Sequence, residues 1–196
     1  IVLWQRQEFT ISTDRCYLRL PCLNDFESWV ALRKKSEDFL SQWEPERNMN
    51  FYSLALFKSR VRWAKKTFKE KKVIHAFIFR QEDNSLMGAI TVDNIRRGAA
   101  QTGSIGYWMG KPFIQNGYMF EVVKALIFYV FKKFEISRLE AATLPENQPS
   151  RKLLEKIGFK YEGVAQSYLE ISGRWRNHVM YSLLREDRRG KAMMRQ

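Results

Sequence analysis

The sequence predicts a mixed α/β fold, and two features of the chain carry that prediction. Runs of β-branched and aromatic residues flank a short turn at residues 83–85, which is typical of an antiparallel hairpin. Residues 120–134 repeat apolar side chains every three or four positions, as an amphipathic helix does. Because this helix falls between two strand-like segments, the chain combines hairpins with a β-α-β crossover, and the class is mixed α/β.

The first half of the chain predicts a strand, two helices and the hairpin. Residues 17–20 alternate like a strand, and a helix follows that runs through Leu32. A second amphipathic helix begins at Asn50 and carries a face rich in Lys and Arg. Residues 73–80 and 86–95 form the two strands of the hairpin.

The second half continues with strands and two helices. Residues 104–109 are short and apolar enough for a strand in the middle of a sheet, and residues 138–144 are another strand candidate. Asn147 can cap a helix that ends near Gly158. The remaining strand predictions are residues 159–168 and 175–184.

Composition excludes several classes of protein. Apolar residues make up 45% of the 196 residues, too much for a disordered chain, and no apolar run reaches the roughly 20 residues that span a bilayer. The opening residues lack the basic start and cleavage site of a signal peptide, so we expect a trimmed start and a cytoplasmic protein. We expect one domain over residues 1–196, with a basic tail from about residue 186.

The charge is strongly positive, with 34 basic against 21 acidic residues and a net charge of +13. Basic clusters lie at residues 33–35, 65–72 and 185–195. Such a field attracts polyanions, which include nucleic acid, a ribosome and the phosphates of a cofactor. The same lysines could equally be the solvated faces of helices, so charge alone leaves the partner open.

Cysteine and histidine are too sparse to predict a metal centre. Cys16 and Cys22 have no second pair to complete a site, and His75 and His178 lie far apart in the sequence beside apolar residues. We therefore expect reduced structural thiols and no metal.

A glycine-containing loop between a strand and a helix is the first candidate functional site. Residues 110–116 follow a strand and precede the helix that begins at Gly117. Free backbone N–H groups and the positive end of a helix dipole converge at such a junction, which suits a phosphate. The junction is also common in α/β proteins as plain structure, and the missing Gly-Lys-Ser/Thr ending argues against a P-loop.

Motifs along the second half of the chain resemble those of one family. They are Gly106-Tyr107, residues 117–121, Asn147-Gln148-Pro149-Ser150, Gly158-Phe159, Glu162-Gly163 and residues 173–178. This pattern resembles the GCN5-related N-acetyltransferases (GNAT), and within them the Rim-type ribosomal-protein-alanine N-acetyltransferases. Weaker similarity at Leu18-Arg19, Trp43-Glu44-Pro45 and residues 96–98 extends it over most of the chain.

The resemblance implies a GNAT-like domain with a mixed, mostly antiparallel sheet of six to seven strands, splayed central strands and flanking helices. It also implies acetyl-coenzyme A (acetyl-CoA) as cosubstrate. The pantetheine arm would pair with the splayed strands like an added strand, and the loop N–H groups would hold the pyrophosphate. The implied cofactor-binding residues are Tyr107, Trp108, Met109, Ile114, Gln115, Asn116, Gly117, Tyr118, Met119 and Asn147.

The sequence departs from the family pattern at two positions. Ile114 stands where the loop usually opens with Gln or Arg, which backbone donation tolerates although cofactor affinity could fall. Leu154 stands where many relatives place a tyrosine that acts as general acid, so that role must fall on another residue.

Direct acetyl transfer needs an acid for the departing thiolate and a base for the amine. Ser150 matches the position at which Rim-type enzymes place a hydroxyl near the sulfur, and it could otherwise simply begin a helix. No base stands out, and the candidates are Glu140, Tyr168, Glu170 and a chain of water molecules.

The missing strong base bears on the acceptor. An α-amine, with a pKa near 8, costs about 1 kcal/mol to deprotonate at neutral pH, against roughly 4–5 kcal/mol for lysine. The Rim-type resemblance implies acetylation of the N-terminal α-amine of a ribosomal protein in a ternary complex, and this difference in cost favours an α-amine acceptor. We also expect the basic surface to aid approach to a ribosome. Two alternatives stay open: acetylation of a small amine, and a degenerate acetyltransferase fold that binds RNA or the ribosome.

Overall fold

In the described part of the chain, eight strands form one sheet in the order β1-β2-β3-β4-β5-β6-β8-β7. The structure, a computed structural model, describes residues 9–186, so the predicted trimmed start and all but the first residue of the predicted basic tail lie outside it. The strands are β1 (Thr10–Ser12), β2 (Cys16–Arg19), β3 (Ile74–Arg80), β4 (Leu86–Arg96), β5 (Thr102–Met109), β6 (Arg138–Thr143), β7 (Lys160–Ile171) and β8 (Arg174–Leu184). The helices are α1 (Phe26–Lys35), α2 (Glu37–Leu40), α3 (Leu54–Lys69), α4 (Tyr118–Lys133) and α5 (Gln148–Ile157), with 3-10 turns at Leu23–Asp25, Ser41–Trp43 and Lys111–Phe113.

The sheet is mixed and mostly antiparallel, as predicted. Among its neighbouring strands, only β5 and β6 pair in parallel. The predicted count of six to seven strands is too low, because the predicted strands do not include β1. Three residues at a sheet edge are too few to show an alternating pattern, and among residues 9–186 β1 pairs only with β2.

Helices cover both faces of the sheet, and the side chains of β3 show how the faces divide. Ile74, Ala76 and Ile78 pack in the cluster that holds the buried residues of α4 and α5. The alternate residues Phe77 and Phe79 pack in the cluster of α1 and α3. Because successive side chains of a strand point to opposite faces, α4 and α5 lie on one side of the sheet, and α1 and α3 on the other.

The second predicted helix, α3, begins later in the chain than predicted. α3 starts at Leu54, and its N-cap is Ser53, whose hydroxyl accepts a hydrogen bond from the N–H of Leu56 at 3.3 Å. Asn50 instead belongs to a turn, in which its carbonyl accepts from the N–H of Ser53 at 2.8 Å. A serine oxygen that satisfies an orphan donor of the first turn fixes the start of a helix better than apolar spacing does.

The predicted Asn147 cap of α5 is confirmed. The Asn147 side chain accepts a hydrogen bond from the N–H of Ser150 at 3.2 Å, and the helix ends at Gly158 with φ of 111°. Since only four residues separate Ser150 from Pro145 and β6 ends at Thr143, the cap holds Ser150 close to the end of β6.

Candidate active site

The central strands β5 and β6 separate soon after they pair. Their parallel register covers Thr102 to Ser104 on β5 and Arg138 to Glu140 on β6, although β5 continues to Met109 and β6 to Thr143. A cavity of about 490 Å³ opens between the diverging ends. It is lined by Trp43, Pro45, Ile105, Gly106, Tyr107, Ala141, Ala142, Thr143, Leu144, Asn147, Ser150, Leu154, Leu169, Glu170, Ile171 and His178.

A hydrogen bond crosses the gap between the two strands. The phenol oxygen of Tyr107 on β5 lies 3.0 Å from the hydroxyl oxygen of Ser150 in the first turn of α5. Burial raises the pKa of Tyr107 to about 12, and the bond with Ser150 opposes that rise only in part. The phenol is therefore protonated at neutral pH and can donate to Ser150 or to an anion in the cavity.

Polar groups that could handle an amine lie on other walls of the cavity. Glu170 near the end of β7 and His178 on β8 both line it. The buried His178 ring has its Nδ1 atom 3.0 Å from the carbonyl oxygen of Arg176. A carbonyl only accepts, so Nδ1 carries the hydrogen, and in the neutral ring Nε2 keeps its lone pair.

The cavity wall formed by Trp43 and Pro45 is anchored to α1. Between them, Glu44 accepts two hydrogen bonds from the buried Arg33, at 2.9 Å and 2.5 Å, and a third from Arg47 at 2.8 Å. Burial alone would raise the pKa of the Glu44 carboxyl, but these two guanidinium groups bring it below its ordinary value. The ion pairs therefore tie this wall of the cavity to the side of the sheet that α1 and α3 cover.

The predicted pyrophosphate loop has the backbone of an anion site. Gln115 has φ of 62° and Gly117 has φ of 79°, so two left-handed residues alternate with Asn116 just before α4. Within residues 9–186, no backbone N–H group of residues 114–117 donates a hydrogen bond. Alternating backbone conformations that leave consecutive N–H groups unpaired form a concave nest for an anion. These residues therefore fit a phosphate group at the start of α4.

Other predicted site residues lie at the edges of this arrangement. Trp108 and Met109 continue β5, but the Trp108 ring packs on the α1 and α3 side beneath Arg33, and Met109 is buried in the opposite cluster. Both can therefore offer a ligand only their backbone groups. Tyr118 and Met119 form the first residues of α4 and follow the loop directly.

Two candidate bases lie outside the cavity lining. Glu140 stands where β5 and β6 are still paired, and its carboxylate contacts the guanidinium of Arg138 at 2.9 Å and that of Arg96 at 3.6 Å. The Tyr168 ring packs edge-on against His178, with centroids 5.6 Å apart. Of the three side chains considered as bases, the structure brings only Glu170 into the cavity wall.

Sequence reasoning did not single out Tyr107 and Ser150 as partners, nor His178 as an individual site residue. The spacing of 43 residues between Tyr107 and Ser150 gives no local signal of their contact. His178 lay within the motif at residues 173–178, but its neighbours in the sequence gave no sign of which side of β8 it would face.

The described residues offer neither a cluster of metal ligands nor a helix that could span a membrane. Across residues 9–186, no group of three or more His, Cys, Asp or Glu side chains is placed to hold a metal ion. In the same part of the chain, no helix combines the length and apolar character needed to cross a bilayer.

Comparison with protein families matches this chain to a known group. The model of the acetyltransferase (GNAT) domain matches residues 15–160. The chain belongs to the GNAT acetyltransferase family. The GNAT resemblance predicted from the motifs is therefore confirmed, and the chain is an N-acetyltransferase.

Relatives within the GNAT family point to the Rim-type branch. The chain is 31% identical to the probable N-acetyltransferase YjcK of Bacillus subtilis, over 87% of this chain and 94% of that protein. It is 30% identical to the [ribosomal protein uS5]-alanine N-acetyltransferase of Escherichia coli, over 90% of this chain and 91% of the relative. Mycobacterium smegmatis RimJ in complex with CoA-disulfide superposes with a TM-score of 0.84 at 25% identity, over 92% of this chain and 90% of RimJ. This chain is a Rim-type GNAT enzyme.

Proposed function

We propose that this enzyme transfers the acetyl group of acetyl-CoA to the N-terminal α-amine of a ribosomal protein. The gap between β5 and β6, with the Tyr107–Ser150 pair across it, is the observation that carries the proposal. The Escherichia coli relative acts on a ribosomal protein's alanine, and RimJ is solved with a CoA-disulfide. Both support the assignment of the two substrates. The reaction would take place in the cytoplasm, where ribosomes are assembled.

The backbone offers a place for each part of acetyl-CoA. The diverging edges of β5 and β6 have unpaired strand groups beyond Ser104 and Glu140, which suit an extended amide chain such as pantetheine. The loop before α4 suits the pyrophosphate, because its N–H groups are unpaired and the helix dipole is positive there. Bound in this way, acetyl-CoA supplies an activated thioester carbon.

The side chains around the cavity divide the proton transfers. Glu170 takes the proton of the acceptor's ammonium group, and the neutral nitrogen attacks the thioester carbon. As the C–N bond forms and the C–S bond breaks, the thiolate takes a proton from Ser150, which Tyr107 replaces in turn. The second proton that the nitrogen loses on becoming an amide then returns to the phenolate oxygen of Tyr107. This pair takes over the acid role that the buried Leu154 cannot perform. The products are the acetylated acceptor, now an amide, and coenzyme A as a free thiol.

A basic stripe on α3 is the surface proposed to approach ribosomal RNA. The stripe consists of Lys58, Arg62, Lys65, Lys66 and Lys69. These positions recur at intervals of four, three, one and three residues, so they fall on one side of the helix, and all five are exposed. None forms an ion pair within residues 9–186, and the helix contains no acidic residue.

The stripe is on the side of the sheet to which the Trp43 and Pro45 wall is anchored. α3 shares its buried cluster with α1, and Arg33 of α1 holds Glu44. An RNA that neutralises the stripe would therefore lie on the same side of the sheet as the anchor of this cavity wall, where a protein terminus next to the RNA could reach the cavity. Charge complementarity favours a polyanion over a neutral partner for this surface.

Binding and product analysis test the proposal. Calorimetry with acetyl-CoA is followed by a thiol-release assay with peptides that begin with alanine or serine, with N-terminally blocked lysine peptides and with small amines. We expect release with the free N-termini, and mass spectrometry should locate the acetyl group on the α-amine. Products on lysine side chains alone, or on small amines with every peptide untouched, would contradict the proposed acceptor and leave the acetyltransferase assignment intact.

A further inference from the structure

We propose that Arg15 supplies a cation to the pyrophosphate of acetyl-CoA, in place of the basic or amide side chain that the loop lacks at Ile114. This inference rests on the proposed use of acetyl-CoA. Arg15 lies in the turn between β1 and β2, about 100 residues before the loop, and no loop motif includes it.

The guanidinium of Arg15 is held directly over the loop. Its Nη1 atom donates to the carbonyl oxygen of Asn116 at 3.0 Å, and its Cζ atom lies 4.7 Å from the centre of the Tyr118 ring. A Cβ atom placed on Gly117 would be 3.4 Å from Nη2 of Arg15. The guanidinium therefore sits at the start of α4, beside the left-handed residues whose N–H groups are unpaired.

Glu121 fixes this position of Arg15. Its carboxylate accepts from Nε of Arg15 at 2.9 Å, from the backbone N–H of Arg15 at 2.8 Å and from the hydroxyl of Thr13 at 2.5 Å. Three hydrogen bonds from the turn between β1 and β2 hold the carboxylate, so the Arg15 side chain is oriented before any ligand arrives. An oriented donor loses less conformational entropy on binding than a free one does.

One donor atom of Arg15 is left for a ligand. Nε and Nη1 are engaged, whereas Nη2 makes no hydrogen bond within the described part of the chain. The side chain is half exposed, so an incoming phosphate can reach Nη2. A guanidinium that donates to a phosphate oxygen makes a charge-assisted hydrogen bond, and Arg suits such oxygens better than Lys does.

Arg15 also neutralises the negative charge of Glu121, which would otherwise repel the pyrophosphate. Glu121 lies in the first turn of α4, close to the loop that would hold the pyrophosphate. Without Arg15, its charge would oppose the ligand. The two effects of Arg15, direct donation and the neutralisation of Glu121, can be separated by variants at both positions.

The experiment compares two acetyl donors in steady-state assays. Acetyl-CoA carries the pyrophosphate, and acetyl-pantetheine delivers the same thioester without it. In Arg15→Ala, KM for acetyl-CoA should rise on the order of 10- to 100-fold, the cost of one charge-assisted hydrogen bond, while kcat changes less than about twofold. The kinetic constants for acetyl-pantetheine should be unchanged. KM of Arg15→Lys for acetyl-CoA should lie between the values of the wild type and of Arg15→Ala, because lysine keeps the positive charge and loses the paired N–H donors of the guanidinium.

Two further measurements keep the inference open to refutation. Glu121→Gln combined with Arg15→Ala should remain on the order of 10-fold weaker for acetyl-CoA than Glu121→Gln alone, since the direct donor is still missing. Full recovery in the double variant would mean that Arg15 only neutralises Glu121. Equal losses with acetyl-CoA and acetyl-pantetheine would also overturn the inference, because Arg15 would then act on the fold or on the chemical step.

A third donor and a matched control complete the design. 3′-Dephospho-acetyl-CoA should suffer the same loss as acetyl-CoA in Arg15→Ala, and a loss confined to acetyl-CoA would move the contact to the 3′-phosphate and contradict the inference. Arg96→Ala removes another exposed, ion-paired arginine, and should leave both donors unaffected. If wild-type protein fails to bind acetyl-CoA in calorimetry, the proposed function itself has failed.

Discussion

The phenol of Tyr107 and the hydroxyl of Ser150 lie 3.0 Å apart, and they belong to elements on opposite sides of the gap in the sheet. Tyr107 is rigidly placed by β5, and Ser150 by the cap that Asn147 gives to α5. The pair therefore has a fixed geometry before a substrate enters, which is what a hydroxyl relay needs for proton delivery.

Removal of either hydroxyl should slow the chemical step. In Ser150→Ala and Tyr107→Phe, kcat should fall on the order of 10- to 100-fold with KM for acetyl-CoA nearly unchanged, because the contact strengthens only as charge develops on sulfur. Stopped assays at saturating acetyl-CoA measure this. Tyr129→Phe removes a phenol hydroxyl from α4 and serves as the matched control. A normal kcat in both site variants would return Ser150 to a purely structural role.

The loop before α4 can be tested at its left-handed glycine. Gly117→Val forces a β-branched residue to φ near 79°, so affinity for acetyl-CoA should fall on the order of 10-fold or more. Gly98→Val imposes similar strain at φ of 64°, in open space and outside the loop, and should leave the affinity intact. Calorimetry measures the affinity of both folded variants for acetyl-CoA. If Gly117→Val binds acetyl-CoA as tightly as Gly98→Val does, the loop is not part of the site.

Charge on α3 should govern the salt dependence of RNA binding. Lys58→Gln, Arg62→Gln and Lys65→Gln together should make the slope of log K against log salt shallower by about 0.7 for each lost phosphate contact. The matched control removes three exposed lysines from α4, Lys124, Lys132 and Lys133, on the opposite side of the sheet. Fluorescence anisotropy with a single-stranded RNA oligonucleotide measures the slope. Equal changes in the two triple variants would show that net charge acts, and not this stripe.

His75 should make stability depend on pH. Burial, with a smaller effect of the charge of Arg60, lowers the pKa of His75 to about 4, whereas an unfolded histidine titrates near 6.5. At pH values between these two pKa values, His75 is protonated in the unfolded chain and neutral in the folded chain. The free energy of unfolding should therefore fall by about 2 kcal/mol between pH 7 and pH 5 from this group.

Urea unfolding at several pH values tests the effect of His75. The Gln side chain of His75→Gln can keep a hydrogen bond to Thr91, which His75 contacts through Nδ1 at 3.0 Å, and it cannot titrate. The variant should lose most of the dependence between pH 7 and pH 5. If the free energy of unfolding falls equally in the wild type and in His75→Gln between pH 7 and pH 5, groups other than His75 are responsible.

Local patterns in the sequence predicted most of the elements. The apolar stripe of α4 placed that helix within two residues of its observed start, and the Asn147 cap was right. These features depend on neighbours along the chain. The strand β1 was missed, because its three residues are stabilised by pairing with β2 and not by a pattern of their own.

The candidate site was harder to predict because distant residues form it. Arg15 and Glu121 are 106 residues apart, and their ion pair depends on where the turn between β1 and β2 meets α4. Glu140 and Glu170 are equally acidic in the sequence, yet strand register sends one carboxylate to Arg138 and the other to the cavity. No spacing rule distinguishes them.

The short pairing between β5 and β6 has a mechanical consequence. Three register pairs are all that join the five-stranded part, β1 to β5, to the three-stranded part, β6 to β8, within the sheet. A pantetheine arm bound in the gap would hydrogen-bond to both β5 and β6 and so connect the two parts. Bound cofactor would then restrict the motion of the two parts relative to each other. That motion would be largest after coenzyme A has left and before the next acetyl-CoA binds.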